Sequence, residues 1–323
     1  MDHGFTSKLA DRLTAFVDFK RAMGYVYGKS SVTTLRQFDR FCAENKHVSL
    51  TREAADGWVK QLVERSAPTS TLSEISAIRE FGRYLYSRGD TEAYVLPMRH
   101  RSRPRIAMPY LLSEKEIAAF FMALREYQSR QRGHIRKIIY SGIFQTMHAC
   151  GIRNCEATRL TCEDVDLDKA TIDIIDSKGP KSRRLYFSRE LADFLSDYDK
   201  EIALVFPKRQ FFFPSLKGEA LKNTFIERGF GHIWDAAGLP RPESGTRPNP
   251  YAFRHHFAFA NIARWAKEGR DVLAMMPYLA RYMGHASIKS TYYYIHLSPD
   301  IIADIPVSTE SLEGLLPEVT IDD

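Results

Sequence analysis

Between Leu96 and Pro109 the chain reads Leu-Pro-Met-Arg-His-Arg-Ser-Arg-Pro-Arg-Ile-Ala-Met-Pro, and no regular element can run through it. Each proline lacks an N–H, fixes φ and pushes the residue before it out of helical conformation. Arg99, Arg101, Arg103 and Arg105 add a dense positive charge to the same stretch. The segments on either side of this break must therefore find separate cores. The plain reading of residues 96–111 is a solvated linker. The functional reading is a linker whose four arginines cross a phosphate backbone, and the basic character of both flanks favours it.

Upstream, residues 1–95 read as an all-helical domain. Phe5, Leu9, Leu13, Phe16, Val17, Phe19 and Met23 recur at helical spacing, and Gly24 stops them. Leu35, Phe38 and Phe41 place a second helix over about 31–44, and Ser49 or Thr51 caps a third that carries Trp58, Val59 and Leu62. A fourth begins near Ser70 and shows Leu72, Ile75, Ile78, Phe81 and Leu85.

Downstream, residues 112–300 predict a mostly helical domain with one small antiparallel sheet, so the chain as a whole is mainly α. Ser113 and Glu116 form a capping box for a helix over about 114–126. Further helices are expected over about 135–149, around Arg153, and over 190–199, 219–237, 251–268, 271–283 and 287–296. The runs 171–176 and 183–187, split by Ser-Lys-Gly-Pro-Lys, predict a hairpin. The final 23 residues, 301–323, carry six acidic side chains and no basic one. Taking their −6 from the chain's net +6 leaves +12 for residues 1–300, which points to a polyanionic partner.

Other classes have little support. No apolar run reaches the roughly 20 residues needed to span a bilayer, and the N-terminus lacks a signal-peptide core. Cys42, Cys150, Cys155 and Cys162 contain no Cys-x-x-Cys pair, which suits small residues in a reducing cytoplasm. His255, His256, His285 and His296 fall into no His-x3-His or His-Glu-x-x-His pattern, so no metal is expected.

Four segments carry a chemical signature. The first is His148-Ala-Cys-Gly-Ile-Arg-Asn-Cys-Glu-Ala-Thr-Arg-Leu-Thr-Cys-Glu-Asp-Val-Asp-Leu. The second is Asp176-Ser-Lys-Gly-Pro-Lys-Ser-Arg-Arg, and the third is Pro250-Tyr-Ala-Phe-Arg-His-His-Phe-Ala. The fourth, Met283-Gly-His-Ala-Ser-Ile-Lys-Ser-Thr-Tyr-Tyr-Tyr-Ile-His, ends in three tyrosines that need burial and hydroxyl partners. In order and spacing these resemble the boxes of the tyrosine site-specific recombinases, the phage integrase family. The resemblance implies catalytic roles for Arg153, Lys178, Arg254, His285 and the nucleophile Tyr294. Tyr251 stands where the family usually has histidine, and a phenol there can donate a hydrogen bond but does not readily carry a proton.

The chemistry asks for these residue types independently. Displacement at a phosphodiester builds charge on the non-bridging oxygens, which two arginines can clamp. A tyrosine stores the bond energy as a phosphotyrosine, so no cofactor is required. A lysine can protonate the departing 5′-oxygen, with Lys178 preferred on the family position and Lys181 its competitor and a DNA contact. Each residue also has a plain alternative: Arg153 as an ion-pair partner of Glu156, Arg254 with His255 and His256 as a polar helix face, and Lys178 in a solvated loop.

By resemblance the N-terminal domain is the core-binding domain, and the two domains clamp duplex DNA carrying specific sites. The same resemblance implies a tetramer on DNA, an accessory directionality protein, and a cytoplasmic protein that joins the nucleoid when bound. The acidic tail either docks into a neighbouring protomer or is disordered. Two other classes compete: a type IB topoisomerase, which relaxes supercoils without joining two sites, and a DNA-binding protein that has lost its chemistry.

Overall fold

The computed structural model describes residues 3–25, 27–65, 68–97, 109–128, 132–175, 182–240, 248–285 and 287–294. The chain divides into two compact units, Met1–Ala107 and Met108–Asp323. The linker arginines Arg99, Arg101, Arg103 and Arg105, the hairpin lysines Lys178 and Lys181, His296 and the acidic tail all lie outside the described residues.

The first unit holds α1 (Ala10–Ala22), α2 (Lys29–Glu44), α3 (Arg52–Arg65) and α4 (Pro68–Ser87). Leu13, Phe16, Leu35, Phe38, Trp58, Leu62, Ile78 and Phe81 meet in one core, as the helical spacing predicts. Helix α1 starts later than its apolar pattern suggests. The buried Asp39 carboxylate accepts the backbone N–H groups of Thr6 at 2.6 Å and Ser7 at 3.1 Å, which holds that segment out of the helix. At the other end of the pattern, Met23 is exposed rather than packed. Leu96 packs in the same core, and the buried Arg79 donates to the carbonyls of Leu96 at 2.8 Å and Pro97 at 3.0 Å. Those bonds fix the direction in which the chain leaves the unit.

The second unit is mostly helical with a three-stranded antiparallel sheet, in line with the expected fold class. Its helices are α5 (Glu114–Arg125), α6 (Gly133–Cys150), α7 (Asn154–Ala157), α8 (Arg189–Val205), α9 (Asn223–Ala236), α10 (Tyr251–Lys267), α11 (Val272–Met283) and α12 (Lys289–Tyr292). The Ser113–Glu116 capping box opens α5 as expected. Strands β2 (Thr171–Ile174) and β3 (Arg183–Tyr186) form the predicted hairpin pair, with Ile172 opposite Leu185. A third strand, β1 (Val165–Asp166), adds to β2; at two residues it is too short to leave a periodic signal.

One core gathers Phe120, Phe144, Phe230 and Phe253 between α5, α6, α9 and α10. A second, smaller core joins Ile262, Trp265, Met276, Leu279 and Met283 to Tyr294. Gly151 ends α6 with φ of +59°, and a Cβ there would fall 2.5 Å from the Phe257 ring. Only glycine allows both that turn and the close approach of α6 to α10. No helix among the described residues is long and apolar enough to cross a membrane.

Candidate active site

The site is assembled around the C-terminal end of α11. A helix leaves its last four carbonyls without intrahelical partners, and the aligned peptide dipoles make that end negative. Here every one is satisfied. Gly284, at φ +66°, turns the chain so that its own N–H donates to Arg281 O at 3.0 Å and the His285 N–H to Ala280 O at 2.9 Å. The next three carbonyls each receive a guanidinium from a different element. Arg183 on β3 donates to Tyr282 O at 2.7 Å, Arg254 on α10 to Met283 O at 2.6 Å, and Arg153 to Gly284 O at 2.8 Å.

Arg254 is fully buried, and its other terminal nitrogen donates to Gly151 O at 2.7 Å. Burial, then the nearby charge of Arg153, pushes its pKa down. Its Nε has no hydrogen-bond partner among the described residues. Arg153 was expected within a helix; instead it has extended backbone (φ −74°, ψ 152°) and immediately precedes α7. Its N–H and its guanidinium both reach the Glu156 carboxylate, at 2.9 and 2.7 Å. Arg183 grips the same carboxylate with two parallel bonds of 3.0 and 2.9 Å. Burial alone would raise the Glu156 pKa, but these two arginines hold it at about 2. Three guanidiniums against one carboxylate leave this corner with a net charge of +2. A pentacoordinate phosphorus develops a charge near −2, so the arrangement suits a phosphoryl-transfer transition state.

The aromatic side of the site adjoins this corner. His285 leaves the α11 turn and bonds the buried Thr291 hydroxyl through Nδ1 at 2.7 Å. Burial, then the charges of Arg254 and Arg153, lowers its pKa to about 4. Tyr294 is only 3% exposed, and burial pushes its phenol up to about 12. Its hydroxyl lies 3.0 Å from Nδ1 of His255. The His255 ring also meets Tyr251 edge-on, with centroids 4.8 Å apart, and the Tyr251 ring lies 6.0 Å from the Arg254 guanidinium.

The structure thus brings Arg153, Arg254, His285, Tyr294 and Tyr251 together from three separated stretches of sequence. His255, Glu156 and Arg183 join them, and sequence reasoning had given none of the three a catalytic role. A signal for His255 was available: it stands four residues after Tyr251, on the same face of one helix. His256 goes the other way, its ring bonded to Leu112 O at 2.9 Å and its side chain buried. Tyr292 packs against the smaller core. The segment read as a helix over 287–296 is helical only at Lys289–Tyr292 among the described residues.

Comparison with known proteins agrees in kind. A family model described as the phage integrase family matches residues 111–300. The Sinorhizobium fredii (strain NBRC 101917 / NGR234) protein y4rE, whose name provisionally calls it an integrase/recombinase, is 29% identical over 305 residues, covering 93% of this chain and 95% of the relative. Tyrosine recombinase XerD of Lacticaseibacillus casei is 25% identical over 293 residues, covering 88% and 92%. Among solved structures, XerH site-specific recombinase in a post-cleavage complex with palindromic difH substrate matches with TM-score 0.63 at 16% identity, covering 86% of this chain and 79% of that one. The Tn1549 transposon integrase in complex with transposon right end DNA matches with TM-score 0.61 at 16% identity, covering 94% and 99%.

Proposed function

The chain belongs to the phage integrase family, and from that premise we propose that it recombines DNA at specific sites, cutting and rejoining strands through a 3′-phosphotyrosine on Tyr294. The observation that carries this reading is the convergence of a buried phenol with three guanidiniums at one helix end, which with the Glu156 carboxylate carry a net charge of +2. Arg153 and Arg254 clamp the non-bridging oxygens. Lys178 protonates the leaving 5′-oxygen, His285 supports the phosphate, and Tyr251 donates one hydrogen bond to it. In cleavage the Tyr294 oxygen bonds phosphorus as the bond to the 5′-oxygen breaks. Rejoining is the reverse, driven by a 5′-hydroxyl from the same or another duplex.

Residues 1–95 serve as the core-binding domain, 112–300 as the catalytic domain, and Arg99, Arg101, Arg103, Arg105 and Lys181 as phosphate contacts. Four copies assemble on paired sites, with the tail of each docking on a neighbour and an accessory protein setting direction. The element served is a mobile one, integrated, excised or transposed. The solved neighbours support this, since one is a recombinase caught after cleavage and another a transposon integrase on transposon DNA.

The test uses a pool of nicked duplexes of randomised sequence, from which detergent-stable protein–DNA adducts are recovered. Wild type should yield adducts enriched in one sequence, Tyr294→Phe none, and Arg153→Ala none despite retained binding. Adducts that persist in Tyr294→Phe move the nucleophile to another residue. Relaxation of supercoiled DNA with no sequence enrichment and no joined sites favours the topoisomerase reading instead.

A further inference from the structure

We propose that His255 is the base that accepts the phenol proton of Tyr294 during strand cleavage and returns it during rejoining, an inference that rests on Tyr294 being the nucleophile. Its Nδ1 lies 3.0 Å from the Tyr294 hydroxyl, within reach of direct proton transfer. The other imidazole nearby is engaged elsewhere. His285 Nδ1 bonds Thr291 at 2.7 Å, and its ring lies nearly parallel to that of Tyr294 with centroids 6.4 Å apart, a stacked rather than hydrogen-bonded relation. Tyr251, one turn before His255 on the same face of α10, offers a hydroxyl, which is a poor proton acceptor beside an imidazole nitrogen. Of the residues on that face, His255 alone combines an acceptor nitrogen with contact to the reacting oxygen.

The groups facing His255 are Tyr251 and Arg254 on its own helix, and His285 and Tyr294 from the segment after α11. Burial, then the Arg254 charge, holds its pKa down to about 4, so the ring is neutral at rest and its lone pair is available. A phosphate seated on the arginines brings negative charge beside the ring and raises its proton affinity when the proton must move. In the step, a bond forms from the Tyr294 oxygen to phosphorus while the bond from phosphorus to the 5′-oxygen breaks. The phenol proton goes to His255 Nδ1, and the 5′-oxygen leaves with the proton from Lys178. Rejoining runs the same transfers backwards.

His255→Asn tests this, because an amide oxygen near the position of Nδ1 can still accept the phenol hydrogen bond but cannot carry the proton. The probe is the nicked duplex recovered with wild-type protein. Single-turnover adduct formation should fall about 10²–10⁴-fold, with duplex binding and thermal midpoint unchanged. Replacing Tyr294 by a fluorinated tyrosine, whose phenol ionises more readily, should recover part of the loss in His255→Asn and change wild type much less. Wild-type cleavage by His255→Asn overturns the base role, as does a loss that fluorination leaves untouched. Adducts from Tyr294→Phe would show that the nucleophile assignment is at fault, separately from His255.

Discussion

On the guanidinium side of the candidate site every group is held as an ion. Glu156 receives Arg153 and both terminal nitrogens of Arg183, and the carbonyls ending α11 take what those arginines and Arg254 have left. On the aromatic side no carboxylate among the described residues reaches His255, His285 or Tyr294, and burial keeps all three neutral. One half is therefore charged before any ligand arrives, while the other holds its proton on the phenol. A fixed positive corner needs no reorganisation when charge develops on phosphorus. A phenol that stays protonated reacts only when a phosphate and an acceptor are both in place. Stability should accordingly depend mainly on the first half, and proton movement on the second.

Glu156→Gln is the largest test of that division. It keeps the shape but leaves two half-buried guanidiniums facing a buried amide, and breaking a buried ion pair from one side costs about 3–5 kcal/mol. Denaturant unfolding of the second unit measures it, and a cost below about 1 kcal/mol would erase the contrast between the halves. The pH dependence has a definite sign. Glu156 has a folded pKa of about 2 against an ordinary 4.5, so its contribution is fully present above pH 4.5 and is lost as pH falls toward 2. In Glu156→Gln that acid limb should flatten.

Gly284 sits at the seam between the halves, and its substitution should cost less. An alanine at φ +66° carries a strain of roughly 1–2 kcal/mol, and its Cβ would lie 2.7 Å from a terminal nitrogen of Arg183. That nitrogen cannot swing away freely, because Glu156 and Tyr282 O pin the guanidinium. Gly284→Asn separates the two causes, since asparagine tolerates the left-handed turn better but is bulkier. We expect Asn to destabilise at least as much as Ala in thermal unfolding. A milder Asn would assign the cost to backbone strain and release Arg183 from its role in the seam.

How much of this was legible in the sequence divides along similar lines. The helices of both units come from apolar spacing, because burial of one face dictates that period. Arg153, Arg254, His285 and Tyr294 were legible as motif positions, although nothing in their spacing says that three arginines share one helix end. The roles of His255 and Arg183 stayed hidden because each depends on a bond to a distant segment, His255 to Tyr294 across 39 positions and Arg183 to Glu156 across 27. Local pattern cannot report such pairs. The late start of α1 has the same origin, since Asp39 takes backbone groups 32 and 33 positions away.

The smallest expected effect is at Tyr251, and it sharpens the comparison from within the aromatic half. Its hydroxyl has no hydrogen-bond partner among the described residues, whereas its ring touches His255 and faces Arg254. Phenylalanine keeps both ring contacts, so Tyr251→Phe should shift stability by no more than about 0.5 kcal/mol. On the proposed mechanism it removes one hydrogen bond to the phosphate, worth about 0.5–1.5 kcal/mol, and adduct formation should slow by roughly tenfold at most. His255→Asn should slow it far more, because it removes a proton acceptor rather than a contact. A Tyr251→Phe loss as deep as that of His255→Asn would mean that the two side chains act as one proton-carrying unit, with the phenol relaying what the imidazole accepts.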